Sequence, residues 1–140
     1  MLIKKLWGTT EILHWDNQCL IARVYGQKGG GSSMHRHQTK SNTFIVCSGC
    51  LVVEDEYGVG RDLIADDCLT VPAGYLHRMV FKSDTVALEV YHAAPGQVLM
   101  VDDIQRVDQG WSPPVQTESA ESDTPPECQP ADPDTASRPQ

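Results

Sequence analysis

No stretch of this chain approaches the roughly 20 consecutive apolar residues that a membrane-spanning helix needs. The opening Met1-Leu-Ile-Lys-Lys-Leu-Trp-Gly8 also lacks the apolar run of a secretory signal. Cationic excess is missing as well: 11 Lys and Arg stand against 19 Asp and Glu, for a net charge of −8. A chain without a basic footprint makes a poor partner for DNA or RNA. We therefore expect neither a membrane nor a nucleic acid as partner. A second CxxC is lacking too. Cys47-Ser-Gly-Cys50 stands alone between two strand-like runs, and Ser48-Gly49 suits a hairpin turn. A zinc knuckle needs a second pair, and a redox CxxC normally caps a helix. The five cysteines are odd in number and scattered, so free thiols in a reducing cytoplasm are the simplest expectation.

The last part of the chain has little that folds. Residues 112–140 hold seven of the nine prolines, no aromatic residue and no Leu, Ile or Phe, and their net charge is −5. Such a segment buries too little apolar surface to offset the entropy of ordering, and we read it as a disordered acidic tail. Residues 1–111 remain as a single folded domain with one core.

Within that domain a sustained helical period is absent, and short alternating or β-branched runs take its place. Residues 20–25, 43–47, 51–53, 63–64, 68–71, 79–81 and 86–91 read as strands. Turn signals separate them at 27–31, 48–49, 57–60, 72–74 and 82–84. Many short strands so punctuated predict an all-β sandwich or barrel.

Two half-motifs carry the chemistry: Gly29-x5-His35-x-His37-x4-Asn42-x6-Gly49 and Pro72-x-Gly74-x2-His77. Residues two apart in a strand share a face, so His35 and His37 point the same way. With those two inward, Asn42 shares their interior, and Phe44 and Val46 pack below it as core. Three imidazoles at short range suit a divalent transition metal, against the blander reading of hydrogen-bonded core histidines. Glu89 and Tyr91 lie on one face of their strand and are placed to reach the same interior. Glu89 is either a general base or a strand-edge acid paired with Arg78 or Lys82. Arg78, His14 and His92 read as structural or solvent-facing, and Asp102, Asp103, Arg106 and Asp108 as salt bridges and caps at the barrel end.

The paired motifs resemble those of the cupin superfamily, whose small double-stranded β-helix of jelly-roll type holds one metal near its axis. More narrowly, four blocks resemble the C-terminal, also stand-alone, cupin domain of type II mannose-6-phosphate isomerase/mannose-1-phosphate guanylyltransferase proteins. They are Lys5-Leu-Trp7-Gly8-Thr-Thr-Glu11, residues 35–49, Val71-Pro-Ala-Gly-Tyr-Leu-His77-Arg78, and Leu88-Glu89-Val90 with residues 101–108. The guanylyltransferase half of the longer proteins has no counterpart in these residues, so nucleotidyl transfer is not expected. The resemblance implies metal ligands at His35, His37, His77 and Asn42, for zinc, manganese, iron, cobalt or nickel. It also implies a sugar-phosphate substrate isomerised between aldose and ketose, with Glu89 shuttling the proton and Lys40 holding the phosphate.

Three departures bear on that implication: His35 stands where the family has Gln, Lys40 where it has Arg, and Asn42 where it has Glu. The shell gains a nitrogen donor and loses a carboxylate, and Lys40 keeps a charge without a planar clamp. A neutral three-histidine shell also resembles that of cupin dioxygenases using iron(II). A non-catalytic sugar- or metal-binding module is the third alternative. Pairing of edge strands between subunits leads us to expect a homodimer.

Overall fold

The computed structural model describes residues 1–115, and the tail expected over 112–140 lies outside the described residues from 116 onward. Eleven strands are present: β1 (Leu2–Lys5), β2 (Gly8–Trp15), β3 (Cys19–Gly26), β4 (His35–Arg36), β5 (Lys40–Ser48), β6 (Leu51–Asp55), β7 (Asp62–Leu63), β8 (Cys68–Val71), β9 (His77–Phe81), β10 (Thr85–Ala93) and β11 (Gln105–Arg106). They form two sheets, in the order β1-β2-β3-β10-β5-β8 and β11-β4-β9-β6-β7. All pairings are antiparallel. The all-β reading from periodicity holds, and every strand-like run of the sequence falls on a strand.

Alternation decides which side chains enter the core. Along β5, Lys40, Asn42, Phe44 and Val46 are buried while Ser41, Thr43 and Ile45 are partly exposed. The main core packs Val24, Phe44, Val46, Leu51, Leu63 and Phe81 between the sheets. Each such side chain is worth about 1.5–3 kcal/mol of apolar transfer when fully buried. A smaller cluster of Leu20, Ala22, Ala93 and Leu99 packs beside it. The β5–β6 connection turns at Gly49, whose φ of +86° is left-handed. A Cβ there would lie 2.2 Å from the Asp84 carbonyl oxygen, so the turn takes glycine on two counts.

The C-terminal end of the domain is strapped on by specific contacts. Trp111 covers Gly31, exchanges backbone hydrogen bonds with it, and donates from Nε1 to the Gly29 carbonyl at 2.8 Å. Cys19, Cys47 and Cys68 form no disulfide. Cys50 is buried. No helix among the described residues is long and apolar enough to cross a membrane.

Candidate metal centre

Strand pairing assembles the histidines. His35 opens β4 and His77 opens β9, and the two are direct cross-strand partners. His37 follows β4 and is tied to the Pro72-Ala-Gly74 turn, where the Gly74 N–H donates to the His37 carbonyl at 2.7 Å. Glycine suits that turn because its φ is +90°. The ring centroids lie 4.6 Å apart for His35–His77, 5.0 Å for His35–His37 and 5.5 Å for His37–His77. Their ligand-capable nitrogens fall within 4.8 Å of one another.

Each ring is oriented by a backbone carbonyl. His35 Nδ1 bonds the Ser33 carbonyl at 2.7 Å, His37 Nδ1 that of Asp103 at 2.8 Å, and His77 Nδ1 that of Tyr75 at 3.0 Å. A carbonyl only accepts, so each Nδ1 carries the proton and each Nε2 keeps its lone pair. Burial, reinforced by the neighbouring imidazoles, holds His35 down at about 3. Burial brings His37 to about 4 and lowers His77 as well. All three are neutral at pH 7. His37 Nε2 and His77 Nε2 are buried without a hydrogen-bond partner, a costly state for a polar group in the interior. Three deprotonated imidazole nitrogens facing one another fit a divalent ion, with Nε2 as the coordinating atom.

Asn42 lies on β5 opposite Tyr91 of β10, and both neighbour Glu89. Asn42 Nδ2 donates to Glu89 Oε2 at 2.9 Å, and the Tyr91 hydroxyl donates to the same oxygen at 2.6 Å. Glu89 Oε1 receives no donor among the described residues. The carboxylate also sets the Asn42 amide, because Oδ1 cannot face it, and Oδ1 is left buried and unpartnered. Burial, with Glu89 beside it, pushes the Tyr91 phenol well above its ordinary value and keeps it a donor. The pairing of Glu89 with Arg78 or Lys82 does not occur. Arg78 instead bridges Glu54 at 2.7 Å, and Lys82 bridges Asp62 at 2.8 Å.

Lys40 is buried, and its ammonium donates to the carbonyls of Met100 at 2.6 Å and Val101 at 3.3 Å. Its Nζ also sits 4.9 Å over the Tyr91 ring. These contacts tie the segment after β10 to the barrel. Asp103 does related work by accepting from Gln38 N, Thr39 N and the Thr39 hydroxyl. Asp108 accepts from Met34 N at 2.7 Å. Both therefore cap loops, as expected, whereas Arg106 forms no salt bridge among the described residues. His14 is exposed beside Asp16, and His92 is exposed.

His35, His37 and Glu89 open into one cavity of about 480 Å³. Its apolar wall comes from Trp7, Ile12, Leu20 and Leu99, side chains of β2, β3 and the flanking segments. Sequence reasoning missed the orienting carbonyls of Ser33, Tyr75 and Asp103, since a backbone group carries no residue signal. It also passed over Arg106 as a lining residue.

The family described as Cupin domain matches residues 23–101, which include every strand that supplies the histidines. No curated protein matches the chain. Solved structures resemble it in fold at low identity. KdgF from Halomonas sp. is 19% identical with a TM-score of 0.61, covering 67% of this chain and 88% of that one. An RmlC-like cupin from Shewanella frigidimarina is 20% identical with a TM-score of 0.61, covering 69% and 86%. Streptomyces Pac13, a nucleoside dehydratase whose variants are seen with uridine, is 18% identical with a TM-score of 0.62, covering 78% and 85%.

Proposed function

Since the chain belongs to the cupin family, we propose that it is a metal-dependent enzyme that moves a proton on a small hydroxy-carbonyl substrate, an isomerase of aldose–ketose type. The observation that carries this is Glu89. Tyr91 and Asn42 bind its Oε2 together, leaving Oε1 without a donor among the described residues in the cavity it shares with His35 and His37. His35, His37 and His77 would hold the ion through Nε2, with the unpartnered Asn42 Oδ1 as a further donor. When bound, the ion supplies Lewis acidity towards a substrate carbonyl. Glu89 Oε1 then takes the proton from the hydroxyl-bearing carbon beside that carbonyl and returns it to the former carbonyl carbon, while the hydroxyl proton passes to the former carbonyl oxygen. The two hydrogen bonds on Oε2 aim the carboxylate. Trp7, Ile12 and Leu20 exclude water from the transfer.

The finer identity, a mannose-6-phosphate-like sugar phosphate, is supported by the four sequence blocks around residues 5–11, 35–49, 71–78 and 88–108. A homodimer belongs to the same reading. Its support is β1 at an open sheet edge with exposed Leu2 and Leu6 nearby.

Elemental analysis of untagged protein comes first, beside a His35→Ala/His77→Ala variant. Stoichiometric metal is expected in the parent and none in the variant. Incubation with mannose 6-phosphate in heavy water then tests the chemistry. The parent is expected to incorporate deuterium at the carbon next to the carbonyl, and Glu89→Gln to lose about 10²–10⁴-fold of that rate. Bound metal with no exchange that depends on Glu89 would sink the reading. The neutral three-nitrogen shell favours one second reading, oxygen chemistry on iron(II). Iron as the bound metal, with dioxygen uptake, would select it.

A further inference from the structure

We propose that the substrate is an anion and that Arg106 binds its carboxylate or phosphate at the cavity wall, beside the metal-ligand histidines. This rests on the reading of the cavity as a substrate site and adds the substrate's charge and its anchor.

Register places the residue. Arg106 ends β11 directly opposite His35 of β4. Opposed residues of an antiparallel pair share a face, with Cβ atoms about 5 Å apart. His35 points into the cavity, and Arg106 lines it from the same face. Its guanidinium makes no hydrogen bond or ion pair among the described residues. The other described arginines are all engaged: Arg23 with Glu11, Arg36 with Gln105, Arg61 with the Cys68 carbonyl and Arg78 with Glu54. Arg106 alone of them has its donors free, and it lines the cavity.

Charge points the same way. The acidic and basic side chains lining the cavity, apart from the histidines, are Lys5, Lys40 and Arg106 against Glu89. Lys40 directs its ammonium at the Met100 and Val101 carbonyls. A planar guanidinium offers the paired donors that a carboxylate or phosphate takes bidentately, which an ammonium cannot. Cross-strand spacing from His35 sets the reach. The anionic group must stand only a few bonds from the oxygen that meets the metal. Lys5, from β1, adds to the positive charge of Arg106 and Lys40 in the lining.

The test uses inorganic phosphate and acetate as separate probes, followed by amide NMR shifts of the full chain, metal-free and metal-loaded. In the metal-free protein Arg106→Gln is expected to weaken binding of the favoured anion about tenfold or more. Arg106→Lys should fall between Gln and the parent, and Lys4→Gln should leave binding unchanged. Tighter phosphate binding identifies a phosphorylated substrate, and tighter acetate binding a carboxylated one. No anion binding by the parent, or equal binding by parent and Arg106→Gln, overturns the proposal. Thermal melts of each variant confirm folding, since Arg106 is exposed on a two-residue strand. The metal-free arm keeps the readings apart. Failure there leaves the metal and Glu89 tests standing, and their failure leaves this result standing.

Discussion

Asn42 and Glu89, side chains of neighbouring strands, are joined by a buried hydrogen bond of 2.9 Å in which the amide donates and the carboxylate accepts. The position at which the family resembled by sequence has a glutamate thus faces a carboxylate here. A second carboxylate would meet the first at hydrogen-bonding distance, and an amide removes that conflict while keeping an oxygen free.

Asn42→Asp restores the conflict with almost no change in shape. Two carboxylates so close cannot both ionise without cost. We expect a loss of about 3 kcal/mol at pH 7 relative to the parent, shrinking towards pH 5 as the pair shares a proton. Urea denaturation of both proteins at the two pH values measures it. Equal stability at pH 7 would count against the hydrogen bond.

Asp103→Ala frees the loop that presents its own carbonyl to His37 Nδ1. The carboxylate holds Gln38 N, Thr39 N and the Thr39 hydroxyl, at 3.0, 2.8 and 2.8 Å. Metal affinity is expected to fall about 10–100-fold, the usual cost of losing an orienting group behind a ligand. Competition with a chelating dye reads this, and Asp102→Ala serves as the control that should not move.

Acid should destabilise the metal-free protein in a defined window. Histidines in the unfolded chain take up protons below about 6.5. Folded His35 and His37 resist protonation until about 3 and 4. Between about pH 6.5 and 4 the unfolded state therefore binds more protons, and stability falls as pH falls. The slope reaches about 1.4 kcal/mol per pH unit for each histidine. Circular-dichroism melts across the window test this, and a His35→Gln/His37→Gln variant should show a shallower slope.

Adding the ion at a hundredfold excess over its dissociation constant should stabilise the fold by about 2.7 kcal/mol. That corresponds to a rise in Tm of about 10 °C for a domain of this size. A chelator should reverse it, and the His35→Ala/His77→Ala variant should show no shift. A rise retained in that variant would place the ion elsewhere.

Much of the site was legible because alternation is a local property. His35 and His37 share a face, and Asn42, Phe44 and Val46 are buried on theirs, for the same reason. The Pro72-Ala-Gly74 turn announced His77. Strand β4 was read from the His35-x-His37 spacing alone, and β11 escaped because two residues show no period. Strand β1 escaped because Lys4 and Lys5 interrupt any apolar alternation, and of β2 only the surface strand position of His14 was read. Glu89 had two readings that periodicity could not separate, since both place it on the same face. The partners of Arg78 and Lys82 removed the structural one.

The sequence by itself determined the all-β class, the inward faces and the three histidines, because each follows from spacing along one strand or one turn. Tertiary structure decided what only register between distant strands can set. It placed His35 across from His77, put Asn42 and Tyr91 on one oxygen of Glu89, committed Lys40 to backbone carbonyls, and left Arg106 facing the cavity. A strand's own residues dictate which way its side chains point. Which side chains they meet depends on where a neighbour starts, and that is settled by packing the whole barrel at once.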